Sequence, residues 1–195
     1  MKNKQIQEER MKGYFVQAAK DILKSEGIKA ISVRNIADRA GYSYTTLYNY
    51  FKDVNDLVFE CVNDFQQECA KFVNLKTTQN SNGYAAIKAK AIAYVQYFIE
   101  YPGIFELFYL TTSGDLGYKQ NTLDIIARSF ELTCQPDWDY IEQQKISNET
   151  IAKKVKKQIG YTLIGSLLLF LNRQTPIKFD EFMLDIEEQI AYVLD

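Results

Sequence analysis

Ser32-Val33-Arg34-Asn35-Ile36-Ala37-Asp38-Arg39-Ala40-Gly41-Tyr42-Ser43-Tyr44-Thr45-Thr46-Leu47-Tyr48-Asn49-Tyr50-Phe51 is the stretch that decides the fold. Ser32 is placed to cap a short helix carrying Ile36, Ala37 and Ala40, and Gly41 is placed to end it. Ser43 caps a second short helix from Tyr44 to about Tyr50, anchored by Leu47. Two helices of about eight residues joined by a tight turn have the size of a helix-turn-helix. Alanine at 37 and 40 lets the pair approach closely. The second helix then turns Tyr44, Thr45, Thr46, Tyr48, Asn49 and Tyr50 outward, a set with no acid.

Upstream, Phe15, Ala18, Ala19, Ile22 and Leu23 form one stripe of a first helix, which ends near Gly27 with Ile28 folding back on it. Downstream, Asp53 caps a long fourth helix with the stripe Leu57, Val58, Cys61, Val62, Phe65, Cys69, Phe72 and Val73. A polar break at Asn80–Gly83 precedes a helix from about Tyr84 to Tyr101. A kink at Pro102-Gly103 and a short apolar helix through Leu110 follow. Ser113-Gly114-Asp115 reads as a loop, about Asn121 to Cys134 as a helix, and the region of Pro136 as a linker. Ser147 is placed to cap a long helix running to about Arg173. The last helix starts near Phe179, with Phe182, Met183, Ile186, Ile190 and Val193 on one face. The chain is therefore expected to be all-α: a three-helix head over 1–53 and a larger helical body over 54–195.

With 195 residues, 47% of them hydrophobic, the chain can bury a core without disulfides or metals. It has no histidine, which removes Ser-His-Asp and Cys-His machinery, His-ligated zinc and a proximal haem ligand. No phosphate-cradling glycine loop or paired carboxylates at helical spacing stand in its place; Glu100 and Glu106 are isolated candidate bases. No enzyme, cofactor or metal site is expected. Cys61, Cys69 and Cys134 form no CxxC pair and read as reduced core thiols rather than a redox sensor. The charged N-terminus lacks a signal-peptide apolar run. The uncharged stretch Ile159–Asn172 is too short for a membrane span and reads as a buried helix, so a cytoplasmic protein is expected.

The net charge of -2 hides an asymmetry: residues 1–53 hold 10 Lys+Arg against 6 Asp+Glu, and the rest hold 13 against 19. A basic head on an acidic body points to nucleic acid. Hydroxyls bond phosphates, an asparagine amide pairs with adenine, and tyrosine rings pack on sugars and thymine methyls. Helix starts at Ser32 and Ser43 add backbone N–H groups suited to phosphate. Lys2, Lys4, Arg10 and Lys12 form either a flexible basic strap on DNA or a solvated terminus.

The quoted run resembles the helix-turn-helix signature of the tetracycline-repressor (TetR) family: Ile-Ala, Ala-Gly, Ser, Leu-Tyr and Tyr-Phe in register, then Leu57. The likeness extends over Phe15 to Leu57. It implies that Arg34 meets a base or phosphate and that Tyr44, Thr45 and Asn49 face bases. It implies phosphate contacts for Thr46, Tyr48 and Tyr50 beside the capping Ser43. Where the family carries a phosphate-gripping lysine and an acid, this chain has Val54 and Asn55; Lys52 is the candidate replacement. Thr45 stands where the family usually has Gly or Pro.

In the body, Tyr94, Tyr97, Phe98, Tyr101, Phe105, Phe108 and Tyr109 crowd into sixteen positions. They either pack a core or line a chamber for a small lipophilic or aromatic effector, with Phe130, Trp138 and Tyr161 as further walls. The family resemblance implies the chamber. Gly160, Gly165 and the run Leu167–Leu171 supply more apolar surface than one core needs, which points to a homodimer through the last two helices. Lys153-Lys154-Val155-Lys156-Lys157 reads as a solvated face. The expected function is a dimeric ligand-responsive repressor on a near-palindromic double-stranded DNA operator, with no membrane partner. The alternative is a helical adaptor whose DNA grip is weakened by the missing lysine.

Overall fold

The computed structural model of the chain describes residues 2–77, 81–111, 120–144, 148–176 and 178–194, and among these it is helical with no strand. The helices are α1 (Lys2–Ser25), α2 (Val33–Ala40), α3 (Tyr44–Leu47), α4 (Val54–Lys76), α5 (Tyr84–Glu100) and α6 (Pro102–Phe105). After them come α7 (Gln120–Ala127), α8 (Ser129–Thr133), α9 (Gln135–Gln143), α10 (Glu149–Leu171) and α11 (Phe179–Leu194). A 3-10 turn, Ile28–Ala30, follows α1, and a π turn, Glu106–Leu110, follows α6.

Two compact units divide the chain. The first holds residues 1–66 and 101–127, the second 67–100 and 128–195.

In the first unit α1 packs on α2 and α6, and α2 on α3. The expected stripes are its core: Phe15, Ala19, Ile22, Leu23, Ile36, Ala37, Leu47, Leu57, Val58 and Phe65 are buried. Gly27 sits at φ 79, a conformation that a side chain would strain, so the chain turns there into the 3-10 segment. Ser32 Oγ accepts the Asn35 N–H at 3.1 Å, and Gly41, at φ 77 and ψ 26, ends α2 in the left-handed region. Lys20 is buried and binds Asp64 Oδ2 at 3.1 Å, tying α1 to α4. Gly103 in α6 lies so close to α1 that an added Cβ would overlap the Leu23 carbonyl oxygen and sit 3.2 Å from the Gly27 Cα.

In the second unit α5 packs against α9, α10 and α11, and α10 packs against α8 and α11. Phe182, Ile186 and Ile190 of α11 are buried as expected, and Phe182 stacks on Phe170 with centroids 4.2 Å apart.

Several local expectations are corrected. The basic N-terminal residues form no flexible strap, because residues 2–13 continue α1; the side chain of Lys2 lies outside the described ones. α3 is one regular turn, and Tyr48–Tyr50 tighten into i→i+3 bonds rather than extending the helix. The helix expected over about 121–134 breaks at Arg128 into α7 and α8. Pro136 opens α9 rather than a linker, since proline fits the first helical turn where its missing N–H costs nothing. Asn148, not Ser147, caps α10, its Oδ1 accepting the Ile151 N–H at 2.9 Å. Ser147, Asn80 and the loop Ser113–Asp115 lie outside the described residues. α10 is also not buried on every side: Ile159, Leu163 and Leu167 face inward, while Tyr161, Leu168 and Leu169 are exposed.

Candidate nucleic-acid interface

The head displays the second helix of its helix-turn-helix on a locally capped frame. Ser43 Oγ accepts the Thr46 N–H at 3.2 Å and shares a hydrogen bond with Thr46 Oγ1 at 2.9 Å. Buried Leu47 locks α3 inward. The opposite surface therefore shows Tyr44 and Tyr48, 59% and 52% exposed, together with exposed Thr45 and Asn49. Thr46 is half-buried beside its cap, and Tyr50 is half-buried with its ring 6.3 Å from that of Phe15.

Arg34, in the first turn of α2, is exposed and has no ion-pair partner among the described residues. Arg39, by contrast, is spent on Glu26 at 2.6 Å. Asp53 Oδ1 caps α4 through the Asp56 N–H at 2.9 Å, leaving Lys52 exposed just ahead of Val54 and Asn55. Arg34, Ser43–Tyr50 and Lys52 thus all belong to the first unit. Uncharged donors and two cations, with no carboxylate on α3, suit a polyanion.

Tyr14 went unread in the sequence, and Lys12 was read there only as part of a basic terminus. Tyr14 of α1 lies against Tyr42 with centroids 5.9 Å apart, both rings exposed, and Lys12 Nζ stands 5.7 Å over the Phe51 ring. Their signal was one basic and one aromatic residue just before the apolar stripe of α1.

The aromatic residues expected around an effector fall in both units. Tyr101, Phe105, Phe108 and Tyr109 lie in the first, where Lys24 Nζ sits 5.1 Å over the Tyr101 ring and Phe105 lies 5.2 Å from Tyr109. In the second, Tyr94 gathers Phe98 at 5.0 Å and Phe130 at 5.1 Å, and Tyr97 lies 5.3 Å from Phe98. The Tyr94 hydroxyl donates to Ser129 Oγ at 2.9 Å, so a neighbouring side chain serves that buried phenol. Trp138 is buried apart from this cluster, between Tyr84 and the Lys156 ammonium, which stands 5.2 Å over its ring. Tyr161 points away from all of them, 65% exposed on α10. Lys156 also departs from the solvated face expected of its run: it is only 17% exposed and reaches Glu131 at 3.6 Å. Burial raises the Glu131 carboxyl, but Arg128 and Lys156 outweigh it and hold it below the usual range.

The cysteines are free and buried; desolvation, aided by Asp64, pushes the Cys61 thiol up to about 12, and burial raises Cys69 and Cys134 as well. They are protonated thiols at neutral pH. Among the described residues no group of three or more His, Cys, Asp or Glu is placed to hold a metal, and no helix is long and apolar enough to cross a membrane.

Comparison with known proteins places this geometry. Residues 15–61 match the model of bacterial regulatory proteins, tetR family. No curated protein matches the chain. Among solved structures, a tetR-family transcriptional regulator from Streptomyces coelicolor is 14% identical with a TM-score of 0.71, over 95% of this chain and 80% of that one. A TetR transcriptional regulator from Rhodococcus sp. RHA1 is 13% identical with a TM-score of 0.68, over 95% and 96%. A TetR family transcription regulator from Marinobacter aquaeolei VT8 is 14% identical with a TM-score of 0.65, over 98% and 97%. Residues 15–61 are thus similar to the helix-turn-helix domain of the tetR family, and the chain has the fold of solved TetR-family transcriptional regulators.

Proposed function

We propose that the protein is a dimeric, ligand-responsive transcriptional repressor that binds a near-palindromic operator through two major-groove helices. The observation that carries this is the acid-free outward face of α3, with the unpaired cation Arg34 beside it in the same unit. Residues 1–53 are the reading head, and 54–195 hold the effector and the dimer contact. Tyr44, Thr45 and Asn49 read bases; Arg34, Ser43, Thr46, Tyr48, Tyr50 and Lys52 hold backbone or position the helix.

Arg34→Ala and Asn49→Ala are each expected to weaken specific operator binding by about 1–3 kcal/mol while leaving the fold intact. Unchanged operator affinity in both variants, measured by fluorescence anisotropy, would remove the reading surface. Lys52→Ala is expected to weaken binding evenly across sequences and to lower the slope of log K against log salt by about one. An unaltered slope would deny it the role of the lysine absent at Val54. The adaptor alternative predicts negligible DNA retention even at low salt.

Support for the dimer is the exposed apolar face of the last two helices, Tyr161, Leu168 and Leu169 on α10 with Leu184 and Tyr192 on α11. Added Cβ atoms at Gly160 and Gly165 would meet nothing within 4 Å, so both leave room for a second chain. Leu184→Arg, at a position 57% exposed, is expected to convert the dimer to monomer in sedimentation with little loss of helicity. A small lipophilic or aromatic effector, bound in the second unit among Tyr94, Tyr97, Phe98 and Phe130, is proposed to favour a different spacing of the heads than DNA does. Each ligand then weakens the other's binding, reciprocally.

A further inference from the structure

The second unit contains a cleft that the aromatic side chains do not line. Its volume is about 260 Å³, and Asn74, Thr77, Ser81, Asn82, Lys90 and Asp137 supply its polar wall. Among the described residues, Ala86 and Pro136 are the apolar members of its lining. At its base Lys90 Nζ donates to Asp137 Oδ2 at 2.7 Å, with side chains 12% and 8% exposed. Lys90 stands between Ala89 and Ala91 on α5, whose inward positions are otherwise apolar or phenolic. A buried ion pair stabilises a fold little better than a packed apolar pair does, so its place here is poorly explained by stability alone.

We propose that this cleft binds a compact, uncharged, hydroxyl-rich solute of about monosaccharide or cyclic-polyol size. The ammonium and carboxylate neutralise each other, so a net-charged guest meets no uncompensated partner. Polar and apolar surface share the wall about equally, which matches the mixed C–H and O–H faces of a small polyol. A hydroxyl both donates and accepts. It therefore suits the donor-only ammonium, the acceptor-only carboxylate and the two-sided amides and hydroxyls together. The volume lies below the roughly 300–1,000 Å³ usual for drug-sized ligands, which limits the guest to a small molecule.

Trp138 supplies the test, because it is the one tryptophan of the sequence and directly follows Asp137. The full chain is titrated with glucose and myo-inositol as neutral polyols, gluconate and glucosamine as charged ones, and octanol as a lipophilic control. Tryptophan emission is excited where tyrosine does not absorb. A saturable shift with a neutral polyol is expected. Asn82→Leu, an exposed rim change that leaves the ion pair in place, is expected to weaken it about tenfold, as loss of one well-placed hydrogen bond does. The double change Lys90→Met with Asp137→Leu is expected to abolish the shift while circular dichroism shows the helices retained. No shift with either neutral polyol, a shift with charged or lipophilic probes alone, or a shift surviving the double change would overturn the proposal. Operator affinity of the unliganded protein, measured alongside, does not depend on this cleft and judges the regulator reading separately.

Discussion

Lys90→Met is expected to lower the free energy of unfolding by about 3–5 kcal/mol, seen as a fall in the urea midpoint at unchanged slope. The loss comes from what remains. Asp137 is 8% exposed and receives the Lys90 ammonium at 2.7 Å; methionine fills similar volume but leaves the carboxylate buried and uncompensated. Replacing both members, Lys90→Met with Asp137→Leu, is expected to restore most of the stability, because no desolvated charge is left behind. That non-additivity separates an ionic effect from a packing one. A single change costing less than about 1 kcal/mol would show that water already screens the pair.

The second large effect is steric and lies in the other unit. Gly103→Ala is expected to destabilise by about 3 kcal/mol, the upper range for forcing an added methyl into packed structure. The methyl would overlap the backbone carbonyl oxygen of Leu23 in the last turn of α1, which has no side-chain freedom to yield. Gly13→Ala is the matched control: nothing lies within 4 Å of its added Cβ, and alanine in an exposed helix is expected to gain about 1 kcal/mol. Thermal melts in which both changes behaved alike would contradict the close contact of α6 with α1.

The head was legible because its signals are local. Ser32, Ser43 and Asp53 each cap the helix expected of them, through bonds spanning three residues. Gly41 takes the left-handed cap that its place between two short apolar stripes demanded. The body was read less well where geometry does not follow apolar period. The π turn at Glu106–Leu110 keeps an apolar face while changing its hydrogen bonds, so periodicity showed a helix but not its kind. Pro136 carries the same sequence signal in a linker as at a helix start. Tyr161 sat in an apolar run but faces out, since a stripe does not say which of its sides meets the core. The Lys90–Asp137 pair joins residues 47 apart, and nothing local marks Lys90 off from Lys88 in the same alanine-rich run.

Selection of bound sequences from random double-stranded DNA by the full protein tests the central claim most directly. Enrichment of a near-palindromic site with two equivalent half-sites is predicted, lost in Asn49→Ala and released by lipophilic compounds. Recovery of no enriched sequence at low salt, or enrichment that survives Arg34→Ala and Asn49→Ala unaltered, would contradict it.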